Sequence, residues 1–146
     1  MLKKILITAG VLLVISLGLG WYIFNDKFED TAAAKADYTL NAQDFINEFK
    51  SNGSINAATN KKYAEKIITI NGRVSAVEAA DTTTNLKIEN ADGSYIAFAF
   101  QQKDQATVKL VKTGDSVSIK GSCNGASFSS ILGVPYATFK RCSLNK

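Results

Sequence analysis

The sequence predicts a mainly β domain: a small five-stranded barrel with short helices on its N-terminal side, preceded by one transmembrane helix. Three observations predict it. After Ile67, apolar and polar residues alternate with a period of two in several short runs, turns bearing Gly or Asp separate those runs, and residues 5–24 contain neither charge nor proline.

The apolar stretch comes first. A helix rises about 1.5 Å per residue, so about 20 apolar residues match a hydrocarbon core about 30 Å thick. Lys3 and Lys4 precede the stretch, and Trp21 and Tyr22 stand where an interfacial aromatic belt would lie. Lysines on the short side keep that end in the cytoplasm, which places everything after about Asn25 outside it in a single-pass arrangement. A cleaved signal is the competing reading. Signal peptides normally carry a shorter apolar region, and here the nearest small-residue patches, Ala32-Ala33-Ala34 and Ala34-Lys35-Ala36, lie beyond the charged run from Asn25 to Asp30. The sequence therefore favours an uncleaved signal anchor over residues 1–24. A charged, alanine-rich spacer follows over 25–37, and a folded domain over 38–146.

Composition narrows the chemistry. All 13 carboxylates and 15 of the 17 lysines and arginines follow Phe24, so the exported part carries a net charge of only +2 with its signs interleaved. Clustered basic stripes mark nucleic-acid binders, and none is present. The chain has no histidine, which removes the commonest metal ligand and the usual neutral-pH base. Two cysteines cannot complete a four-ligand zinc site. No metal and no cofactor are expected. Outside the cytoplasm, Cys123 and Cys142 are expected to form a disulfide contributing about 3 kcal/mol in the chain-entropy model, with two buried free thiols as the competing reading.

Each element of the domain has a local cause. Asn41 caps a helix whose Phe45, Ile46 and Phe49 share one face, with Gly53 as its stop, and a second short helix is expected over 57–65. Ile68, Ile70 and Val74 alternate with Thr69, Asn71 and Arg73 in a long first strand, where Gly72 predicts a bulge or bend. Leu86 and Ile88 belong to a second strand. Asp92-Gly93 is a hairpin signal, and Ile96, Phe98 and Phe100 share a face of the third. A short helix or loop over 102–111 and a turn at Thr113-Gly114-Asp115 precede a fourth strand ending at Cys123. Residues 124–135 read as a loop, and the last strand runs from about Thr138 to Leu144.

Five strands with a helical insertion after the third describe the oligonucleotide/oligosaccharide-binding (OB) barrel, and an SH3-like barrel is the alternative. The run Ile67-Ile68-Thr69-Ile70-Asn71-Gly72-Arg73-Val74, residues 111–125 and the ending Arg141-Cys142-Ser143-Leu144 resemble the tRNA-anticodon-like OB-fold family of bacterial membrane proteins. The Ala34-Lys35-Ala36-Asp37 stretch before the barrel is similar to that family too. The resemblance implies an OB barrel behind an N-terminal hydrophobic helix in a bacterial plasma membrane. It carries no functional residue across.

Candidate sites follow from the barrel. An OB barrel binds on its second and third strands and their flanking loops. The outward residues are Arg73, Lys87, Glu89, Tyr95 and Lys120, of which Arg73, Lys87, Tyr95 and Lys120 are the candidates for ligand binding, with an ordinary wet face as the competing and commoner reading for the three basic residues. Phe128, Ile131, Leu132 and Tyr136 form an apolar cluster that either meets a partner or closes the barrel end. Asp81, Asp92, Asp104 and Asp115 sit in turn contexts where aspartate bonds local backbone, so no enzyme is expected. The sequence thus predicts a membrane-tethered, noncatalytic OB module on the extracytoplasmic side that contacts an envelope protein or glycan. Nucleic-acid binding by the same face is the alternative, motivated by the fold and by a net +4 over residues 38–146.

Overall fold

A computed structural model of the chain describes residues 14–18, 20, 30–51 and 54–145. Residues 14–18 and 20 are helical, and among the described residues no helix is long and apolar enough to cross a membrane. Most of the expected transmembrane helix over 5–24 lies outside the described residues. The chain divides into two compact units, 1–30 and 31–146.

The second unit begins before the expected domain start. Thr31 is buried, and Lys120 Nζ donates to the carbonyl oxygens of Ala32 at 2.8 Å and Ala34 at 3.0 Å. Residues 31–37 thus lie against the domain rather than standing off it. Strand β1 (Tyr38–Asn41) follows and runs parallel to β4 (Ile67–Arg73), with Tyr38 beside Ile68. Helix α1 (Ala42–Phe49) is capped by Asn41, whose side chain accepts from Gln43 N–H at 2.9 Å. It buries Ala42, Phe45, Ile46 and Phe49 on one face, as their spacing predicts. The helix gives way to strand at Lys50, and the expected stop at Gly53 lies outside the described residues. Short strands β2 (Lys50–Ser51) and β3 (Ser54–Ile55) pair with each other, and α2 (Ala57–Tyr63) starts on the cap Asn56.

The remaining strands are β5 (Ala76–Ala79), β6 (Thr84–Glu89), β7 (Tyr95–Phe100), β8 (Ser116–Ser129) and β9 (Val134–Leu144). A 3₁₀ turn at Gln102–Asp104 and a short α3 (Gln105–Val108) separate β7 from β8. The main sheet has seven strands in the order β1-β4-β8-β9-β7-β6-β5. This corrects the expected closed, five-stranded barrel in two respects. Tyr38–Asn41 adds an unforeseen strand, and the expected long first strand divides into β4 and β5. The division has a local cause: Val74 N–H bonds Asp115 O, whereas Ser75 N–H bonds Lys87 O, so successive residues serve opposite ends of the order. The hydrogen-bonded order therefore stays open, with β1 and β5 at its edges.

Gly72 is not the bend. It pairs in register with Val117, and a Cβ there would stand 2.8 Å from Ala42 Cβ and 3.0 Å from Ile88 Cδ1, so glycine lets α1 sit close on β4. Residues 124–135 are likewise no loop. β8 continues to Ser129 and β9 begins at Val134, making a long hairpin whose turn is residues 130–133. Alternate residues of β4, β6, β7, β8 and β9 meet the α1 face in one core containing Ile68, Ile70, Leu86, Ile88, Ile96, Phe98, Ile119 and Phe139.

The expected disulfide is absent: Cys123 and Cys142 are buried free thiols. Register explains it. Lys120 pairs with Ser143 and Ser122 with Lys140, so β9 carries an extra residue between them, and Arg141 adopts φ 53 there. The bulge seats the Cys142 sulfur over Gly121, whose added Cβ would meet Sγ at 2.7 Å, while Cys123 pairs with Phe139. Burial pushes both thiols above their ordinary pKa.

Candidate functional site

The pleat decides what faces outward. With Ile88, Ile96 and Ala137 in the core, the residues between them in β6, β7 and β9 point to the opposite face. One row across that face runs Glu89, Tyr95, Tyr136, Ser127, and the next runs Ala76, Lys87, Ala97, Thr138. Because Tyr95 and Tyr136 are direct partners in the parallel β7–β9 pair, their rings stack at 5.3 Å between centroids and 12° between planes. Lys87 Nζ lies 4.0 Å from the Tyr95 centroid and 3.6 Å from Glu89 Oε2. Burial raises the Tyr95 phenol above its ordinary pKa, with Tyr136, Glu78 and Glu89 acting in the same direction.

The chemistry of this face is specific. Two parallel rings stand beside small neighbours, Ala97 and Thr138, with the Glu89 carboxylate next to Tyr95 and Lys87 already engaged by that carboxylate. Beneath the rings a small apolar crevice opens between α1 and β9, lined by Ile46, Phe49, Tyr95, Pro135, Tyr136 and Ala137.

The other candidates fall elsewhere. Arg73, exposed at the end of β4, lines a shallow polar groove with Asn41, Asn71, Ser116, Ser118 and Asn145 that shares no residue with the crevice. Lys120 is committed to the Ala32 and Ala34 carbonyls. Phe128, Ile131 and Leu132 are exposed on the β8–β9 hairpin instead of closing the barrel end, and Tyr136 stands apart from them in the ring pair. Of the eight ligand and partner candidates, the structure joins Lys87, Tyr95 and Tyr136. Sequence reasoning placed Tyr136 with the hairpin, apart from Tyr95. The signal for the pair is the β7–β9 register, which no local pattern carries. Among the described residues, no three Asp, Glu, His or Cys side chains gather in a way that could hold a metal ion.

Comparison with known proteins places this geometry in a family. The tRNA_anti-like family model matches residues 1–134. No curated protein matches the chain. A solved structure from Klebsiella pneumoniae, provisionally described as a nucleic acid-binding lipoprotein, is similar at a TM-score of 0.54 and 17% identity over 82% of this chain and 100% of that one. The S. pombe Stn1-ten1 complex matches at 0.39 and 17% identity, over 55% of this chain and 58% of that chain. An aspartyl tRNA synthetase from Entamoeba histolytica matches at 0.42 and 12% identity, over 77% of this chain and 26% of its own. The Klebsiella structure supports the fold, an OB-like sheet, and with a family model spanning residues 1–134 the chain belongs to the tRNA_anti-like family.

Proposed function

We propose that this chain is a membrane-tethered, noncatalytic binding module whose β6–β7–β9 face takes a glycan of the bacterial envelope on the extracytoplasmic side. The observation that carries the reading is the ring pair of Tyr95 and Tyr136 with Glu89 beside Tyr95 in register. Sugar rings offer C–H faces that pack on aromatic planes and hydroxyls that donate to carboxylates, so rings bordered by acids suit a neutral or amino sugar. The uncharged run from Ile5 to Phe24 behind Lys3-Lys4 supports the tether, with the N-terminus in the cytoplasm. The absence of histidine supports the noncatalytic part.

Nucleic acid is the second reading, favoured by the description of the Klebsiella structure and by the net +4 of residues 38–146. Local charge opposes it. Phosphates repel Glu78 and Glu89, and the lysine of the face already has a carboxylate partner. Lys87 separates the two readings, because a sugar stacking on Tyr95 displaces its ammonium, whereas a phosphate recruits it.

The test titrates the full chain in nanodiscs with β-1,4-linked N-acetylhexosamine tetrasaccharide and with a single-stranded oligonucleotide. Expected are saturable tetrasaccharide binding with little salt dependence, at least tenfold loss in Tyr95→Ala, and equal or tighter binding in Lys87→Ala. Oligonucleotide binding that weakens steeply with salt and is lost in Lys87→Ala would overturn the glycan reading.

A further inference from the structure

We propose that the end of the β8–β9 hairpin enters the outer leaflet of the bilayer that the N-terminal segment crosses. The inference rests on the tethered reading above. Ile131 is 93% exposed, Leu132 59% and Phe128 47%, three large apolar side chains at one end of a single hairpin. Between Lys120 and Lys140 the chain has no charged residue, so residues 121–139 of the hairpin lack the charges that most oppose entry into hydrocarbon.

Its backbone is prepared as well. Unpaired polar groups are costly in lipid, and here Gly133 N–H bonds Ser129 O at 2.8 Å while Leu132 N–H bonds Ser129 Oγ at 3.2 Å. Gly133, at φ +69, permits the turn that satisfies them. Below the turn, β8 and β9 pair from Ser129–Val134 to Ala126–Ala137.

The tether selects lipid over a soluble partner. Only residues 25–30 separate the uncharged run from Thr31, so a bilayer surface at Phe24 lies within roughly 25 Å of the domain's first residue. Lys120, which holds Ala32 and Ala34, sits on β8 itself, roughly 30 Å from the turn at about 3.3 Å per residue. These lengths let a hairpin lying along the surface meet it at both places. Apolar side chains that enter the headgroup and acyl boundary behave in this way, and they do so where a second anchor holds the protein nearby.

The experiment labels single engineered cysteines with an environment-sensitive fluorophore in the full chain, reconstituted in phosphatidylethanolamine/phosphatidylglycerol vesicles containing brominated acyl chains. The two native thiols are buried and escape the label. Three positions are compared: Ile131→Cys at the hairpin end, Leu110→Cys at an apolar site 76% exposed elsewhere on the domain, and Val14→Cys in the N-terminal helix. The expected result is a blue-shifted emission quenched at least twofold by bromine at 131 and 14, with none at 110. Quenching at 14 alone overturns the hairpin proposal and leaves the tether standing. Quenching at 131 alone overturns the tether reading and supports lipid contact by the hairpin. A blue shift at 131 without bromine quenching identifies a protein cover, such as a second copy of the chain, and overturns lipid as the occupant.

Discussion

At the scale of single residues, close contacts govern this domain more than charges do. Gly121 lies under the Cys142 sulfur with Phe139 Cδ1 at 3.3 Å from a would-be Cβ, so neither neighbour has room to give. Gly121→Ala is expected to destabilise the domain by about 1–3 kcal/mol, read as a lower midpoint in urea. The same packing leaves both sulfurs reduced and sheltered. Thiol titration of the native protein is expected to find no reactive cysteine, and titration after unfolding without reductant to find two; finding none after unfolding would restore the bridge. Tyr95, Lys87 and the apolar core positions were legible in the sequence because alternation assigns each residue of a strand a face. Tyr136 as a ring partner was not. Its role depends on β9 lying parallel beside β7, a pairing between segments about forty residues apart that leaves no trace in either.

At the scale of elements, side chains finish what the strands leave open. The far half of β8 extends beyond β4 and would present bare backbone. Asn60, on α2, takes the place of a strand there: its Oδ1 accepts from Ala126 N–H at 2.9 Å and its Nδ2 lies 3.5 Å from Ala126 O. Asn60→Leu is expected to cost about 1–3 kcal/mol and to raise the tendency to aggregate, measured by thermal melting with light scattering. Gln105 does the same for α3, with its amide bonded to Thr84 N–H at 2.6 Å and to the Thr84 and Phe100 carbonyls. Helix α1 was legible from its cap and apolar spacing, and α2 as a short helical stretch whose Asn56 cap was missed. The division of β4 from β5 was not, since it arises from hydrogen bonds to Asp115 and Lys87 that lie far along the chain. The bulge at Arg141 was equally hidden, as was the β8–β9 register that sets Cys123 opposite Phe139 instead of Cys142.

At the scale of the whole molecule, ion pairs between separate segments set the response to acid. The Lys62 ammonium and then the Tyr63 hydroxyl hold Glu48 below its ordinary pKa, tying α1 to α2. Lys50 does so for Asp92, tying the end of α1 to the β6–β7 turn. A carboxylate lowered on folding adds stability that is complete above its unfolded pKa and disappears as pH falls through the folded one. The melting temperature is therefore expected to hold from neutral pH to about pH 5 and to decline below about pH 4.5. Both acids are largely exposed, so the decline is shallow and fades in salt. In Lys62→Met the Glu48 share of that decline is expected to shrink to what the Tyr63 hydroxyl holds, which differential scanning calorimetry across the pH series measures.

One consequence concerns mechanical load. A pull arriving at Asp30 first meets Lys120 of β8 on the Ala32 and Ala34 carbonyls, then the Asp37–Ile67 hydrogen bonds, and then the four residues of β1 paired with β4. Because β4 keeps β8 as its partner on the other side, β1 works as a fuse: it can peel away under tension while the tyrosine-bearing strands stay folded.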